Sequence, residues 1–522
     1  MEYRLGLRFI DYISIELGSF LGHFSVEYQV SWRFITLGGE IFLGTFTFSM
    51  NNTLGDFVRY SPNQVSIRNS DVWEGNGRLC NSHIYGFHRN VSKFEGTYSP
   101  FRIARGFTST WNTTDVDIHK SRRKLLNKCF SEQALDGYSD SITVHIDEFM
   151  RQMLEGLPAD QNYMAGPINF AYKSDVVARE IITHLVSGKT WGFQNADTKT
   201  TKLLENIRKF ERKLYMLGFA PWLKVFPSFK PSPALGQWIV QSSKQGFISE
   251  SKNTLVAKML AARDEDQGAG LSENDVIADA RFFLLGGKIS CRHLPFVVLV
   301  LIAAGSVTSS SALSAAVFFL LHHPTETQQL YTELRDAFPT YSDIKVNAQL
   351  MRCKRLKAVL EEAMRLAPPV PTLLPRLVGP GGIEAVGRHI PEGVVVGAPC
   401  WAISRDKRYF EDPNMFKPDR WLVDASDPIA GQRLAEATKA SQPFSFGPRA
   451  CPGRALAFRE NGLLLAKLVY AFEMEPVTDN STVQTPLRGI EEGLVFNQKD
   501  TVGAHEEELL VRYRLRSGVS LD

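Results

Sequence analysis

The chain has 522 residues, 44% of them hydrophobic and 22% charged, with a formal net charge of +3. This hydrophobic content is enough for a sizeable core and excludes a disordered chain, while the near balance of charge gives no indication of a nucleic-acid partner. The six cysteines form no CxxC pair and show no disulfide-like spacing, which suits a reducing compartment. Because no linker rich in proline, serine or glycine divides the chain, we expect one large domain.

The first 53 residues make up an atypical N-terminal segment. They hold neither a run of about 18 apolar residues nor the basic, apolar and small-residue order of a secretion signal. The best candidate, residues 34–50, carries Glu40 and several glycines and threonines. We therefore predict a segment 1–53 without a clear membrane anchor, followed by the main domain at residues 54–522.

A strongly basic helix is predicted for residues 118–134. Leu125, Leu126 and Phe130 recur on one face, as expected for a helix that packs on a core. The usual interpretation of the basic residues in such a helix is a solvated, charged face.

Residues 219–229 are rich in aromatic side chains and are interrupted by proline. The segment is too short to span a bilayer and too apolar for an ordinary exposed loop. Both a place in the core and a contact with a membrane surface fit this composition.

Residues 294–321 contain no charged side chain, so hydropathy alone would predict a membrane span. However, serine and threonine cluster at residues 306–314, and a large protein core buries such a helix equally well. We therefore predict a buried core helix.

Residues 356–366 predict an amphipathic helix in which Glu362 and Arg365 are three positions apart and hence on one face. Pairs of this kind are commonly surface salt bridges that contribute only about 0.3–0.5 kcal/mol. Taken alone, the pair indicates no particular function.

Residues 443–458, PFSFGPRACPGRALAF, are centred on Cys451. A helix-forming run follows directly, so Cys451 lies just before a helix N-terminus, where free N–H groups and the helix dipole favour a thiolate, the state that binds iron. Gly447 and Gly453 remove side chains that would block a flat macrocycle, and Arg449 offers a cation to an acidic substituent of that macrocycle. A lone intracellular cysteine is usually a small buried hydrophobe, so the surrounding pattern decides the interpretation.

The pattern Phe-x-x-Gly-x-Arg-x-Cys-x-Gly, which begins at Phe444, resembles the haem-binding loop of the cytochrome P450 monooxygenases. The resemblance covers about residues 54–516, with interruptions at 74–82, interpreted as a loop, and near 286–302. It implies a mainly α fold with small β-sheets in a single triangular cytochrome P450 domain. It also implies heme b, iron protoporphyrin IX, with the Cys451 thiolate as the axial iron ligand.

The same resemblance implies further cofactor-binding residues. His119, Arg123 and Arg376 stand where the family places side chains toward the haem propionates, whereas Ser404 replaces a frequent histidine of that site. The cofactor-binding residues predicted in this way are Cys451, Arg449, Phe444, Gly447, Gly453, Arg376, His119 and Arg123.

Residues 304–309 resemble the distal-helix motif (Ala/Gly)-Gly-x-(Asp/Glu)-Thr-(Thr/Ser) of the family. There the small residues, here Ala304 and Gly305, leave a notch for dioxygen, and the threonine, here Thr308, relays protons. We predict these three as catalytic residues. Val307 stands in place of the expected acid, so the usual proton source for breaking the O–O bond is missing.

Residues 418–421, PDRW, resemble the Pro-Glu-Arg-Phe element of the family, whose arginine joins a glutamate and a second arginine in a buried triad. The resemblance therefore implies a triad of Glu362, Arg365 and Arg420, in which two guanidiniums bracket one carboxylate. Its role would be structural.

Residues 286–302 lie where the family has one uninterrupted helix. Two glycines and Pro295 disfavour a helix there, and charged side chains enter a stretch that should belong to the core. A functional insertion loop is one explanation. We favour an aberrant insertion through an error in the gene structure, a retained intron, because Gly287 and Lys288 can be encoded by a common intron donor sequence.

The activity implied by the resemblance is that of an NADPH-dependent monooxygenase. Such an enzyme inserts one atom of O2 into a C–H or C=C bond of a small hydrophobic substrate. By analogy with filamentous-fungal members, this substrate would be a terpenoid or polyketide secondary metabolite. Residues 100–115, 214–229 and 371–374 are expected to form the walls of the substrate pocket.

The implied partner is NADPH–cytochrome P450 reductase, which supplies the electrons. Its acidic face would dock on a basic patch of exposed side chains from the helix at 118–134. The implied location is the cytoplasmic face of the endoplasmic reticulum membrane, with residues 219–229 in peripheral contact with the lipid. The expected members of the basic patch are Lys120, Arg122, Lys124 and Lys128.

Two other functions stay open. Because Val307 removes the acid, the chain could be a haem-thiolate isomerase or dehydratase that rearranges a preoxidised substrate without a reductase. Alternatively, it could be an inactive haem-binding member of the family.

Overall fold

The computed structural model describes residues 54–73, 84–86, 90–99, 109–160, 163–195, 303–371, 373–424, 426–477 and 508–519, with isolated positions in 201–258 and 494–498. The helices are α1 (Glu95–Tyr98), α2 (Val116–Cys129), α3 (Glu132–Asp136), α4 (Ser139–Glu155), α5 (Phe170–Ser187), α6 (Thr308–His322), α7 (Pro324–Ala337), α8 (Ala348–Arg352), α9 (Lys354–Leu366), α10 (Cys400–Ile403), α11 (Pro428–Ala440) and α12 (Arg454–Ala471). The strands are β1 (Phe57–Ser61), β2 (Gln64–Ile67), β3 (Val91–Lys93), β4 (Ala165–Asn169), β5 (Arg376–Val378), β6 (Ile383–Ala385), β7 (Arg388–Ile390), β8 (Val395–Gly397), β9 (Phe472–Pro476) and β10 (Leu510–Leu515).

Several predicted features lie outside the described residues. They are the segments 1–53, 74–82 and 286–302, and the pocket-wall residues 100–108 and 214–229 apart from Leu217.

The strands of the described residues form small sheets. One has the order β1-β2-β8-β5-β3, another β4-β10-β9, and β6 pairs with β7. In the first sheet β3 runs antiparallel to β5, and their register pairs Lys93 with Arg376. Long side chains directly opposite each other in an antiparallel pair come close together, so this register brings two cations to one place. With helices making up most of the rest, the predicted mainly α class with small β-sheets is confirmed.

Helix α6 lies at the centre of the core. It packs against α5, α9 and α12, and its residues from Ser309 to Leu320 are buried. Among the described helices, the stretch Ala304–His322 is long and apolar enough to cross a membrane, with a mean hydropathy of 1.5, yet 78% of it is buried in the protein. This burial agrees with the prediction of a core helix.

The basic segment 118–134, which was predicted to be one helix, forms two helices in the structure. Helix α2 ends at Cys129, and α3 starts again after Ser131, whose hydroxyl accepts a hydrogen bond from the Ala134 amide. Serine is a favoured N-cap because its oxygen satisfies an amide that has no partner within the helix. Leu125 and Leu126 are buried, as predicted for the apolar face.

Candidate functional site

The loop between α11 and α12 carries Cys451. The Cys451 amide donates a hydrogen bond to the Phe444 carbonyl at 2.8 Å, and the Phe444 ring packs against Phe458 of α12. Gly447 has a φ of +75°, and a Cβ at this position would lie 2.1 Å from the Tyr85 carbonyl oxygen. The backbone and Tyr85 therefore require glycine here. This differs from the predicted reason, which was to make room for a macrocycle.

The Cys451 side chain is exposed on one side, and α12 begins at Arg454. A Cβ on Gly453 would lie 3.7 Å from the Cys451 sulfur, so a larger residue at 453 would cover part of the sulfur. Burial raises the pKa of the Cys451 thiol, while the Gly453 N–H and the Arg123 charge lower it. The net shift is upward because burial outweighs these two effects. A bound metal ion deprotonates a thiol outright, so iron can supply the stabilisation that the loop lacks.

On the distal side, a π-helical turn at Ala303–Val307 leads into α6. The Thr308 hydroxyl donates a hydrogen bond to the Ala304 carbonyl at 2.9 Å, which fixes its position on this turn. A Cβ on Gly305 would lie 2.6 Å from the Ile182 side chain of α5. A larger residue at 305 would have to displace the Ile182 side chain, so Gly305 also serves the close packing of these two helices. Val307 is buried, so an acid at this position would have to enter the core.

Glu460 of α12 is an acidic residue that no motif indicated. It is 6% exposed and accepts a hydrogen bond from Ser309, the neighbour of Thr308. Burial raises the pKa of Glu460 to about 8, although the Ser309 hydrogen bond lowers it. Glu460 and Ser310 also line a cavity of about 10 Å³, close to the smallest that holds one water molecule. The sequence held no clear signal for Glu460, because Arg459 and Asn461 flank it in the helix and make it look like part of an ordinary polar stretch.

Basic side chains from separate elements meet beside the Cys loop. Burial and the charges of the neighbouring basic residues lower the pKa of His119 to about 3. Burial and the Arg376 charge likewise lower the pKa of Arg449 to about 10, while Tyr98 and Asp115 oppose this shift. The members of this cation cluster are His119 and Arg123 of α2, Arg376 of β5, Arg449 of the Cys loop and Lys93 of β3.

Backbone and phenol oxygens hold the guanidiniums of the cation cluster in place. Arg449 donates to the Thr113 carbonyl at 2.8 Å, and Arg376 donates to the Tyr98 hydroxyl at 3.1 Å. Arg123 donates to the carbonyl of Ala450, the residue before Cys451. The structure thus brings Arg123, Arg449 and the Cys loop together, as the sequence predicted for a single cofactor site.

The charge of the cation cluster indicates the ligand that fits it. Among the described residues, no carboxylate forms an ion pair with Lys93, Arg376 or Arg449. The charge of exposed Asp115 reaches Arg449, but the Asp115 carboxylate caps α2 by accepting from the Ile118 amide. Buried cations are stable only when they are paired, so the cluster fits a ligand with adjacent carboxylates. The haem that the Cys451 loop implies has two such groups, its propionates.

The Glu362 triad forms a separate group between α9 and the turn Pro418–Trp421. Arg365 donates to both carboxylate oxygens of Glu362, at 2.8 and 2.7 Å, and Arg420 donates to it at 3.0 Å. The Lys417 amide and the Trp421 indole N–H add hydrogen bonds of 2.9 Å each. Burial disfavours the ionised carboxylate, but Arg365, Arg420 and the Lys417 amide together outweigh this effect and hold the pKa of Glu362 below its usual range.

Ser404 stands where the family frequently has a histidine. Ser404 is buried, and its carbonyl accepts a hydrogen bond from Arg365 at 2.8 Å. Ser404 thus belongs to the surroundings of the triad.

The expected basic patch on α2 is smaller than predicted. Lys120, Lys124 and Lys128 are exposed, whereas Arg122 is 3% exposed. Arg122 is therefore not available to a docking partner, because its position on the helix faces the protein. The patch that remains is a row of three lysines.

The comparisons with known proteins agree on the family. The cytochrome P450 family profile matches residues 72–501. The cytochrome P450 monooxygenase AFT11-1 of Alternaria alternata is 71% identical over 467 residues, which cover 90% of this chain and 87% of that protein. A more distant relative is the cytochrome P450 monooxygenase traB of Penicillium crustosum, which is 29% identical over 82% of this chain and 80% of that protein. Another is the cytochrome P450 monooxygenase AKT7 of Alternaria alternata, which is 27% identical over 84% of this chain and 80% of that protein. With Cys451 in its loop and a cation cluster beside it, this chain belongs to the cytochrome P450 family of haem-thiolate monooxygenases.

Proposed function

We propose that this monooxygenase hydroxylates or epoxidises a small hydrophobic secondary metabolite of the terpenoid or polyketide kind. The observation that carries the proposal is the juxtaposition of the Cys451 loop with the cation cluster, a site suited to a haem with thiolate ligation. The 71% identity to a fungal monooxygenase supports the metabolic context. Haem, when bound, would supply the oxidising chemistry, and Cys451 would hold it as the thiolate ligand.

The side chains around the haem site have distinct tasks in this proposal. Cys451 ligates the iron, Gly453 leaves one side of the sulfur uncovered, and Arg376 and Arg449 bind the propionates. Burial and the cationic neighbours of His119 lower its pKa, and its ring N–H can donate a hydrogen bond to a propionate. Cys451→Ala should therefore abolish the red-shifted Soret band of the reduced protein with carbon monoxide.

Protons for the reaction come, in this proposal, from Thr308 and Glu460. Thr308 holds its hydroxyl proton against the Ala304 carbonyl and can pass it on when that hydrogen bond breaks. Glu460 keeps a carboxyl proton at neutral pH and contacts the adjacent Ser309. A protonated carboxyl near the distal helix compensates in part for the acid that is missing at Val307.

Electrons arrive from a redox partner, as is general for monooxygenases of this family. We propose NADPH–cytochrome P450 reductase on the cytoplasmic face of the endoplasmic reticulum membrane, docked on Lys120, Lys124 and Lys128. Attraction between opposite charges mainly speeds encounter, so replacing the three lysines with glutamine should slow reduction at low salt and have less effect at high salt.

The experiment that tests the function combines a spectrum with turnover. The reduced protein with carbon monoxide should show the thiolate-type Soret band, and reductase with NADPH should support product formation from candidate metabolites. Turnover with a hydroperoxide but not with reductase and NADPH would instead favour the isomerase or dehydratase. A protein that gives the spectrum but no turnover in either assay would be the inactive haem binder.

We also infer that residues 286–302 are an aberrant insertion. Deleting them joins Leu285 directly to Ala303 and should raise the haem content of the purified protein. The mature transcript provides an independent test, because a transcript that retains these codons and encodes an active full-length enzyme would contradict the inference.

A further inference from the structure

Lys93 is a buried lysine at the end of β3, 6% exposed, that no motif indicated. Its ammonium lies 4.1 Å from the ring centre of Tyr98 and 5.0 Å from that of Trp111. It also donates a hydrogen bond to the Trp111 carbonyl. Lysine is almost never fully buried unless it is paired with an anion. The aromatic faces and one carbonyl replace only part of the hydration that this ammonium loses on burial.

The charges nearest to Lys93 are also positive. Burial, followed by the charges of Arg376 and Arg449, lowers the pKa of Lys93 well below its ordinary value. The pKa of His119, on α2, is lowered by burial and by the charges of Arg449 and Lys93. Tyr98 of α1 faces the ammonium with its ring. Within the part of the chain that the structure describes, no carboxylate pairs with Lys93, so its surroundings favour an incoming anion.

The position of Lys93 connects it to the two arginines of the propionate site. It lies directly opposite Arg376 in the β3–β5 register, and Arg376 in turn lowers the pKa of Arg449. An ammonium has three N–H donors, and the Trp111 carbonyl accepts one of them. Two donors are thus left for carboxylate oxygens.

We propose that Lys93 binds a haem propionate as a third cation beside Arg376 and Arg449. The proposal rests on the haem site described under the proposed function. It adds a cofactor-binding residue to the family pattern, one that comes from the sheet rather than from the Cys loop or α2.

Proton uptake is a direct consequence of this arrangement. Burial and the cationic neighbours favour neutral Lys93, whereas a propionate carboxylate in contact with it favours the ammonium. Haem binding therefore raises the pKa of Lys93, and at a pH between its lower and its higher value one proton moves from solvent to the Nζ atom. Haem dimethyl ester lacks the two negative charges and should cause no such uptake.

The test compares Lys93→Met with Lys93→Arg in the haem-loaded full chain. Methionine keeps an unbranched apolar stem against Tyr98 and Trp111 but removes the charge, whereas arginine keeps the charge. The measurement is the rate of haem transfer to excess apomyoglobin, for protein loaded with haem and for protein loaded with haem dimethyl ester. Losing a hydrogen bond between charged groups should make Lys93→Met release haem roughly 10- to 100-fold faster, with Lys93→Arg close to the unchanged protein.

The ester separates a propionate contact from a structural role. If Lys93 acts on the propionates, Lys93→Met and the unchanged protein should release the ester at equal rates. Equal acceleration for haem and ester would show that Lys93 only supports the fold, and no acceleration for haem would show that it does not touch the cofactor. Either result overturns the proposal.

A second measurement covers the case in which Lys93→Met does not fold. The heat of haem binding to the His119→Asn apoprotein, in which no imidazole can take up the proton, is recorded in buffers of different ionisation enthalpy, with haem and with the ester. Proton uptake with haem alone supports the proposal, and equal uptake with both overturns it. A normal carbon monoxide spectrum of the unchanged protein, together with a negative result here, would reject Lys93 while leaving the proposed function intact.

Discussion

Replacing Glu362 with alanine removes the acceptor at the centre of the buried triad. Glu362 and Arg365 are 0% exposed and Arg420 is 12% exposed. In Glu362→Ala, the hydrogen bonds from both arginines, from the Lys417 amide and from the Trp421 indole lose their acceptor. Since water cannot reach these groups readily, the variant leaves a buried charge without compensation.

The expected loss follows from the burial. Removing one partner of a buried ion pair costs about 3–5 kcal/mol. A folded domain is stable by only about 5–15 kcal/mol, so this loss is a large share of the whole. The triad also fixes the turn Pro418–Trp421 against α9, on the way to the Cys loop. We therefore expect Glu362→Ala to give little haem-loaded protein.

The neighbouring Glu361 provides the matched control. Its carboxylate lies 3.7 Å from Lys357 Nζ, with the two side chains 21% and 58% exposed. Such an i,i+4 pair with one exposed and one half-buried partner contributes about 1 kcal/mol or less. Glu361→Ala should therefore keep the haem content and the thermal inactivation temperature of the unchanged protein.

The assay is haem content per protein, the carbon monoxide spectrum and thermal inactivation, measured side by side for both variants. A Glu362→Ala protein that is soluble, carries a full complement of haem and inactivates at the same temperature as Glu361→Ala would refute the reasoning. It would mean that the arginines find water or another acceptor once the carboxylate is gone.

Three further predictions concern the haem site. Gly447→Ala should prevent folding of the Cys loop because the added Cβ meets the Tyr85 carbonyl, whereas Gly453→Ala should fold, and soluble expression compares the two. Burial raises the pKa of Glu460 to about 8. Between pH ~4.3 and 8 the folded state therefore keeps a proton that the unfolded state loses. The free energy of unfolding should fall as pH rises through this window, by up to ~1.4 kcal/mol per pH unit. Glu460→Gln should flatten this dependence in thermal unfolding, and an unchanged slope would assign it to other groups. Val307→Asp should increase product formed per NADPH consumed, and an equal or lower ratio would show that another path supplies the protons.

The sequence by itself determined the chemistry of the Cys loop. The residues that define the motif lie within 443–458, and two of its features are local: the cysteine and the helix that starts directly after it. Local spacing also indicated the pair of Glu362 and Arg365 on one helix face. Whether that pair is buried could not be read from spacing, because exposed and buried pairs share the same periodicity.

Tertiary structure decided the features that depend on distant partners. Ser309 and Glu460 are 151 positions apart, and only the packing of α6 on α12 brings them into contact. Gly447 is required because of Tyr85, a neighbour that its own motif does not contain. Arg122 looked like part of an exposed basic patch, yet its helical position faces inward. Lys93 meets Arg376 only through the register of β3 with β5, since strand pairing joins residues with no local relation in the chain.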